Sequence, residues 1–180
     1  FSDCSKIVSV LIPKIEKIGE GAFSRYSTFG GAPIFTQLVL PNTLTFIGDG
    51  AFLGCEKLSE ITIPETVSSL GDYTFAYCVL LETVNLPDTV EKIGLYTFAG
   101  CEYLEFINLE NIKEFSDYSF ASCVYLENVD LSSAEIIGEA AFADTYVSGS
   151  LVMNNLKVVK DYAFQGARIG SVMAQNLEEI

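Results

Sequence analysis

Residues 73–109 read YTFAYCVLLETVNLPDTVEKIGLYTFAGCEYLEFINL, and one phrase is written there twice, with Phe75 and Cys78 answered by Phe98 and Cys101. A catalytic or metal-binding pair would bring partners of other chemistry. An architectural pair would bring its whole surroundings along, and the surroundings do repeat. After Phe75 an aliphatic residue stands at +6, +9 and +11 (Leu81, Val84, Leu86), Pro87 follows, and Val90 and Ile93 form a further apolar pair.

Working outward, the same phenylalanine recurs at 23, 52, 75, 98, 120, 142 and 164, with separations of 29, 23, 23, 22, 22 and 22 residues, and Phe1 lies 22 residues before Phe23. A period of this length held along a chain is the signature of stacked repeats. The segments EITIP (60–64), TVNLP (83–87), FINLE (106–110) and NVDLS (128–132) alternate polar with apolar residues, so each copy supplies one short half-buried β-strand. TVSSL (66–70), TVEKI (89–93) and NIKEF (111–115) turn two apolar residues inward across two exposed ones, which suits a second brief extended segment. Glycines in IGD, IGE and IGL mark a sharp turn before the next phenylalanine. The Phe-x-x-Cys spacing predicts a single helical turn, since residues three apart share a helix face.

A copy with so few core positions cannot bury its apolar face alone; stacking closes a continuous core and makes stability a nearest-neighbour sum. The expectation is one domain over 1–180, an α/β solenoid of about seven coils with one short parallel strand per 22–23 residues, the repeats starting near 1, 23, 52, 75, 98, 120, 142 and 164. At about 4.8 Å per coil the stack is roughly 35 Å long. The coil of Phe23 carries an insertion, RYSTFGGAPIF (25–35), whose Tyr26 and Phe29 make it either an aromatic contact loop or a drifted repeat that bulges.

The phrases LSEITIPETVSSLGDYTFAYC and LETVNLPDTVEKIGLYTFAGC resemble the leucine-rich repeats of the BspA-like, or Treponema pallidum, type, and the likeness extends over essentially all 180 residues. It implies a right-handed superhelix whose strands form a concave sheet. It also implies a surface or secreted protein that attaches to host matrix or cells. Two departures stand out: Glu110, Ser132 and Asn154 replace the strand-ending proline, and Thr145 and Ala167 replace the cysteine. Neither end of the chain reads as a polar cap, so a longer array is expected, and open strand edges would permit end-to-end self-association.

Composition narrows the chemistry. Acids outnumber bases 24 to 10, for a net charge of −14, which disfavours nucleic acid and anionic lipid as partners. No apolar run is long enough to insert in a membrane, and the chain has no histidine, the commonest general base and metal ligand. Phosphate-cradling glycine loops and nucleophile elbows are also missing. The expectation is therefore no enzyme, cofactor or metal centre.

Cys4, Cys55, Cys78, Cys101 and Cys123 all stand at +3 from a phenylalanine. One cysteine per layer cannot converge on a zinc ion, and the reading is a stacked column of small buried hydrophobes. Free thiols and the lack of glycosylation sequons would also suit a cytoplasmic adaptor. A structural spacer in a larger surface protein is the other alternative to a binding role.

Two strand rows should face outward, Ser9, Gln37, Glu60, Thr83, Phe106, Asn128 and Ser150 at +8, and Leu11, Val39, Thr62, Asn85, Asn108, Asp130 and Val152 at +10. The candidate protein- or glycan-binding residues are Glu60, Thr62, Thr83, Asn85, Phe106, Asn108, Asn128 and Asp130, an aromatic anchor among short polar groups. The plain alternative is a soluble sheet with one exposed phenylalanine. Glu82, Glu105 and Glu127 at +7 stack as a ladder that either binds a divalent cation or splays into solvent. Lys14, Lys17, Lys92, Lys113, Lys157 and Lys160 gather on or beside the second extended segment, as a mixed-charge face.

Overall fold

A computed structural model describes residues 1–25, 31 and 33–180. Its organising feature is a column of phenylalanine rings. Phe1, Phe23, Phe52, Phe75, Phe98, Phe120, Phe142 and Phe164 stack in sequence, with centroids 5.2 to 5.6 Å apart. Phe52, Phe75, Phe98, Phe120 and Phe142 are fully buried, and each is worth about 1.5–3 kcal/mol as area removed from water. The repeat length therefore translates directly into one solenoid coil per copy.

Two parallel ladders run along the stack. The first holds β3 (Glu60–Thr62), β4 (Thr83–Asn85) and β6 (Phe106–Ile107), then β9 (Ser148–Val152) and β11 (Arg168–Met173) as a separate pair. The second holds β1 (Lys17–Ile18) with β2 (Phe46–Ile47), then β5 (Lys92–Ile93), β7 (Glu114–Phe115), β8 (Ile136–Ile137) and β10 (Val158–Val159) as a four-stranded sheet. The strands pair one repeat apart, as in Glu60↔Thr83 and Lys92↔Glu114, and β11 shifts register against β9 between Ile169 and Ser171. The second extended segment is thus a strand in most coils, in addition to the one strand per coil expected.

The expected helical turn is absent: among the described residues there is no helix, and the phenylalanine sits in consecutive tight turns. The reason is two left-handed residues in most coils. Two positions before the phenylalanine stand Gly21, Gly50, Tyr73, Tyr96, Tyr118, Ala140 and Tyr162, and two positions after it Gly54, Tyr77, Gly100, Ser122, Asp144 and Gly166, all with φ between +50° and +79°. A helical turn cannot hold such residues. Tyrosine in this region costs about 1–2 kcal/mol, and stacking of Tyr73, Tyr96 and Tyr118 at 5.0 and 4.8 Å offsets part of it.

In these turns Gly48, Gly71 and Gly138 serve close approach and not a left-handed angle. A Cβ on Gly71 would lie 2.5 Å from the Asp49 amide nitrogen and 2.6 Å from the Gly48 carbonyl carbon; on Gly138 it would meet the Asp117 nitrogen at 2.6 Å. The aspartates beside them tie one coil to the next. Asp49 Oδ1 accepts the Asp72 N–H at 3.0 Å, Asp72 Oδ1 the Leu95 N–H at 2.8 Å, and Asp117 Oδ1 the Glu139 N–H at 2.9 Å.

Cys55, Cys78, Cys101 and Cys123 are fully buried in successive coils. Each thiol donates to the phenylalanine carbonyl of the preceding coil, on Phe23, Phe52, Phe75 and Phe98, at 3.1 to 3.3 Å. Thr145, at the same position, donates to Phe142 within its own coil at 2.8 Å. The site therefore takes a small side chain, with a donor in the coils from Phe52 to Phe142 and Ala167 in the last. Burial pushes Cys55 up to about 12 and raises Cys78, Cys101 and Cys123 well above the ordinary thiol range. Cys4 corrects the expectation of five buried thiols: it is exposed.

Candidate binding face

The first ladder presents its outward rows as a continuous surface. Glu60, Thr62, Asn85, Phe106, Asn128 and Asp130 are exposed, while Thr83 and Asn108 are half-buried. Phe106 is 64% exposed, and among the described residues no other ring stacks on it, so its face is open to a partner. Beside it lies a shallow depression of about 320 Å³ lined by Val84, Asn85, Glu105, Phe106, Ile107, Asn108 and Asn128. A second depression of about 350 Å³ lies further along the same face, over Gln37, Val39, Glu60, Thr62 and Asn85. The candidate residues of the middle coils thus share one surface, and it carries carboxylates and amides with no lysine or arginine in residues 59–63, 82–86, 105–109 or 127–131.

Several of these side chains already have work within the fold. The Asn108 amide accepts the Leu86 N–H at 2.8 Å and donates to the Leu86 carbonyl at 2.9 Å, so it closes the strand ladder in place of its own backbone. Asn85 donates to Thr62 Oγ1 at 3.1 Å. Asp130 Oδ1 accepts the Ser132 N–H at 2.9 Å, and hydrogen bonding from Ser132, through its side chain and then its amide, holds this carboxyl below the usual range. Among the described residues that leaves Glu60, Thr83, Phe106 and Asn128 with no side-chain hydrogen bond or ring contact to the fold. The role of Asn108 had a signal in the sequence, because the strand-ending proline is lost in the same coil.

Glu82, Glu105 and Glu127 are exposed, and among the described residues no group of three or more acidic or thiol side chains is placed to hold a metal ion. Tyr26 and Phe29 lie outside the described residues.

The second ladder carries the opposite character. Lys92 pairs with Glu114 at 2.6 Å, Lys113 with Glu91 at 2.8 Å, Lys157 with Glu135 at 2.5 Å and Lys160 with Asp117 at 3.0 Å, each bridging coils. Burial acts to raise the Asp117 carboxyl, but the Lys160 hydrogen bond, the Glu139 N–H and the Lys160 charge outweigh it and hold it low. These pairs neutralise one another, so the second ladder is internally matched while the first keeps its acids unpaired by cations.

A profile of the BspA type leucine-rich repeat region, in six copies, matches residues 25–148 and 73–180. The chain belongs to the BspA-type leucine-rich-repeat family. A leucine-rich repeat protein from Bacteroides ovatus is 33% identical over 98% of this chain with a TM-score of 0.76, and the match spans 48% of that protein. One from Eubacterium ventriosum is 22% identical over 86% of this chain and 43% of its own length, with a TM-score of 0.65. A leucine rich cell surface protein from Faecalibacterium prausnitzii is 20% identical over 88% of this chain and 44% of its own length, with a TM-score of 0.63. The chain therefore spans about half the length of these solved relatives. No curated protein matches it. Leucine-rich-repeat proteins are generally non-enzymatic scaffolds for protein ligands, and this chain has that scaffold. No helix among the described residues is long and apolar enough to cross a membrane.

Proposed function

We propose that this chain is a non-enzymatic recognition segment of a surface or secreted, adhesin-like protein, and that it presents the first-ladder face to a host matrix or cell-surface protein or glycan. The observation that carries the reading is Phe106, an exposed aromatic ring at the edge of a depression, ringed by amides and carboxylates that lack cationic partners. Aromatic anchors inside a polar rim supply much of the binding energy of protein contacts. The surface or secreted placement follows from family likeness.

The test is saturable binding of the purified protein to a panel of matrix proteins, host cells and glycans, beside Phe106→Ala with Asn128→Lys. Both positions are exposed and neither bonds the fold through its side chain, so the variant should keep its structure. Binding lost by the variant supports the reading. Binding retained by the variant moves recognition off this face, and no binding by either protein favours a spacer.

A further inference from the structure

Between the coil of Phe98 and the coil of Phe120 the solenoid is joined on two sides and open on the third. In the turn column Phe98 N–H reaches the Ser119 carbonyl at 2.8 Å and Gly100 N–H the Ala121 carbonyl at 2.8 Å. In the second ladder β7 pairs with β8 without a break. In the first ladder, however, residues 127–131 form no strand, and no backbone hydrogen bond links them to residues 105–109. Towards the following coil they keep one backbone bond, from the Ser148 N–H to the Glu127 carbonyl at 3.2 Å.

The core opens with the ladder. At the +9 position Ile61, Val84 and Leu151 are 2%, 1% and 5% exposed, whereas Ile107 and Val129 are only half-buried. The Phe98 and Phe120 rings are tilted by 18°, against 2° for Phe52 and Phe75. The sequence changes at the same point: the coils of Phe52 and Phe75 run 23 residues with a proline after the strand, while that of Phe98 runs 22 with Glu110 in its place. Asn108 bonds Leu86 in the preceding coil, so it closes the ladder on that side and leaves the side towards residues 127–131 open.

We propose that this opening receives an extended basic polypeptide segment, which seats an aliphatic side chain against Ile107 beside the Phe106 ring while its lysine or arginine groups meet Glu82, Glu105, Glu127 and Asp130. The proposal rests on the binding reading of this face and names its ligand chemistry. Three features select the occupant. The floor is apolar, the depression of about 320 Å³ has room for one or two side chains, and the rim carries acids with no base in the strand segments around it. An anionic segment would meet like charge at Glu105 in the lining and at Glu82, Glu127 and Asp130 in the adjoining strand segments, and charge complementarity of this kind governs both the choice of partner and the rate of encounter.

The test is selection of a random dodecapeptide display library on the folded protein, in parallel with Glu105→Gln plus Glu127→Gln, Phe106→Ala, and Tyr162→Ala as an unrelated exposed control. The expected pool is net positive with a central aliphatic residue. Its synthetic members should weaken about tenfold or more from 0.05 to 0.5 M NaCl, and should lose about tenfold on the glutamine variant and on Phe106→Ala. No enrichment, a neutral or acidic pool, or the same affinity on the glutamine variant overturns the proposal. Loss on Phe106→Ala with no dependence on charge, or binding of a neutral oligosaccharide in place of peptides, would overturn it while leaving the binding face intact.

Discussion

Asn108 gives the sharpest test of how the first ladder is built. Its side-chain amide makes two hydrogen bonds to the Leu86 backbone, and Leu86 is 7% exposed. Each bond contributes about 0.5–1.5 kcal/mol net, and a buried N–H left without a partner costs about 1–3 kcal/mol. Asn108→Ala should therefore lose about 2–4 kcal/mol. Asn128→Ala, whose side chain bonds nothing in the fold, should stay within about 0.5 kcal/mol. Urea unfolding followed by circular dichroism measures both, and exchange of the Leu86 amide localises the effect. Asn108→Asp keeps the acceptor for the Leu86 N–H but sets a carboxylate against the Leu86 carbonyl, so it should be destabilised at neutral pH and recover partly once the carboxyl is protonated. A loss below about 1 kcal/mol for Asn108→Ala would refute the reasoning, because the backbone at residue 108 would then be closing the ladder unaided.

Other outcomes follow from the same geometry. In the native protein a thiol reagent at pH 8 should modify Cys4 alone among the five cysteines, with all five reacting in denaturant, since the other four are buried with raised pKa values; a second fast thiol would contradict the burial. Gly71→Ala places a Cβ against the backbone of the preceding coil and should cost about 1–3 kcal/mol in thermal or urea unfolding. Asp117 has a lowered pKa, so its contribution is present above the ordinary carboxylate range and lost as pH falls through its folded value. Asp117→Asn should flatten that part of the acid-unfolding profile, by a modest amount because the Asp117–Lys160 pair is largely exposed; an unchanged profile would assign the acid sensitivity elsewhere.

The coil repeat was legible because it is written in large apolar residues. Phe52, Phe75 and Phe98 at fixed spacing can only stack, and the alternation in EITIP or TVNLP can only present one face inward. The turn was harder to read. Phe-x-x-Cys fits a helical face, yet Gly21 and Gly50 share a column with Tyr73, Tyr96 and Tyr118, and that glycine column was the available signal for a left-handed residue. The glycines of these turns were assigned to chain reversal, whereas Gly48, Gly71 and Gly138 lie against the backbone of the adjacent coil, which no single copy reveals. On the binding face, Phe106 and the acids around it were plain from the strand period. Asn108 was grouped with them because its side-chain bonds to the Leu86 backbone reach into the neighbouring coil, which no single copy shows. Cys4 obeyed the spacing of its column, but spacing alone does not set burial.

The most direct measurement places a benzophenone photocrosslinker at residue 106 and, in a second protein, at residue 162, a tyrosine 65% exposed in the turn column. Each is irradiated with the matrix and cell-surface panel. The account predicts adducts from position 106 that excess unlabelled protein competes away, and none from position 162. Competable adducts from 162 alone would contradict it.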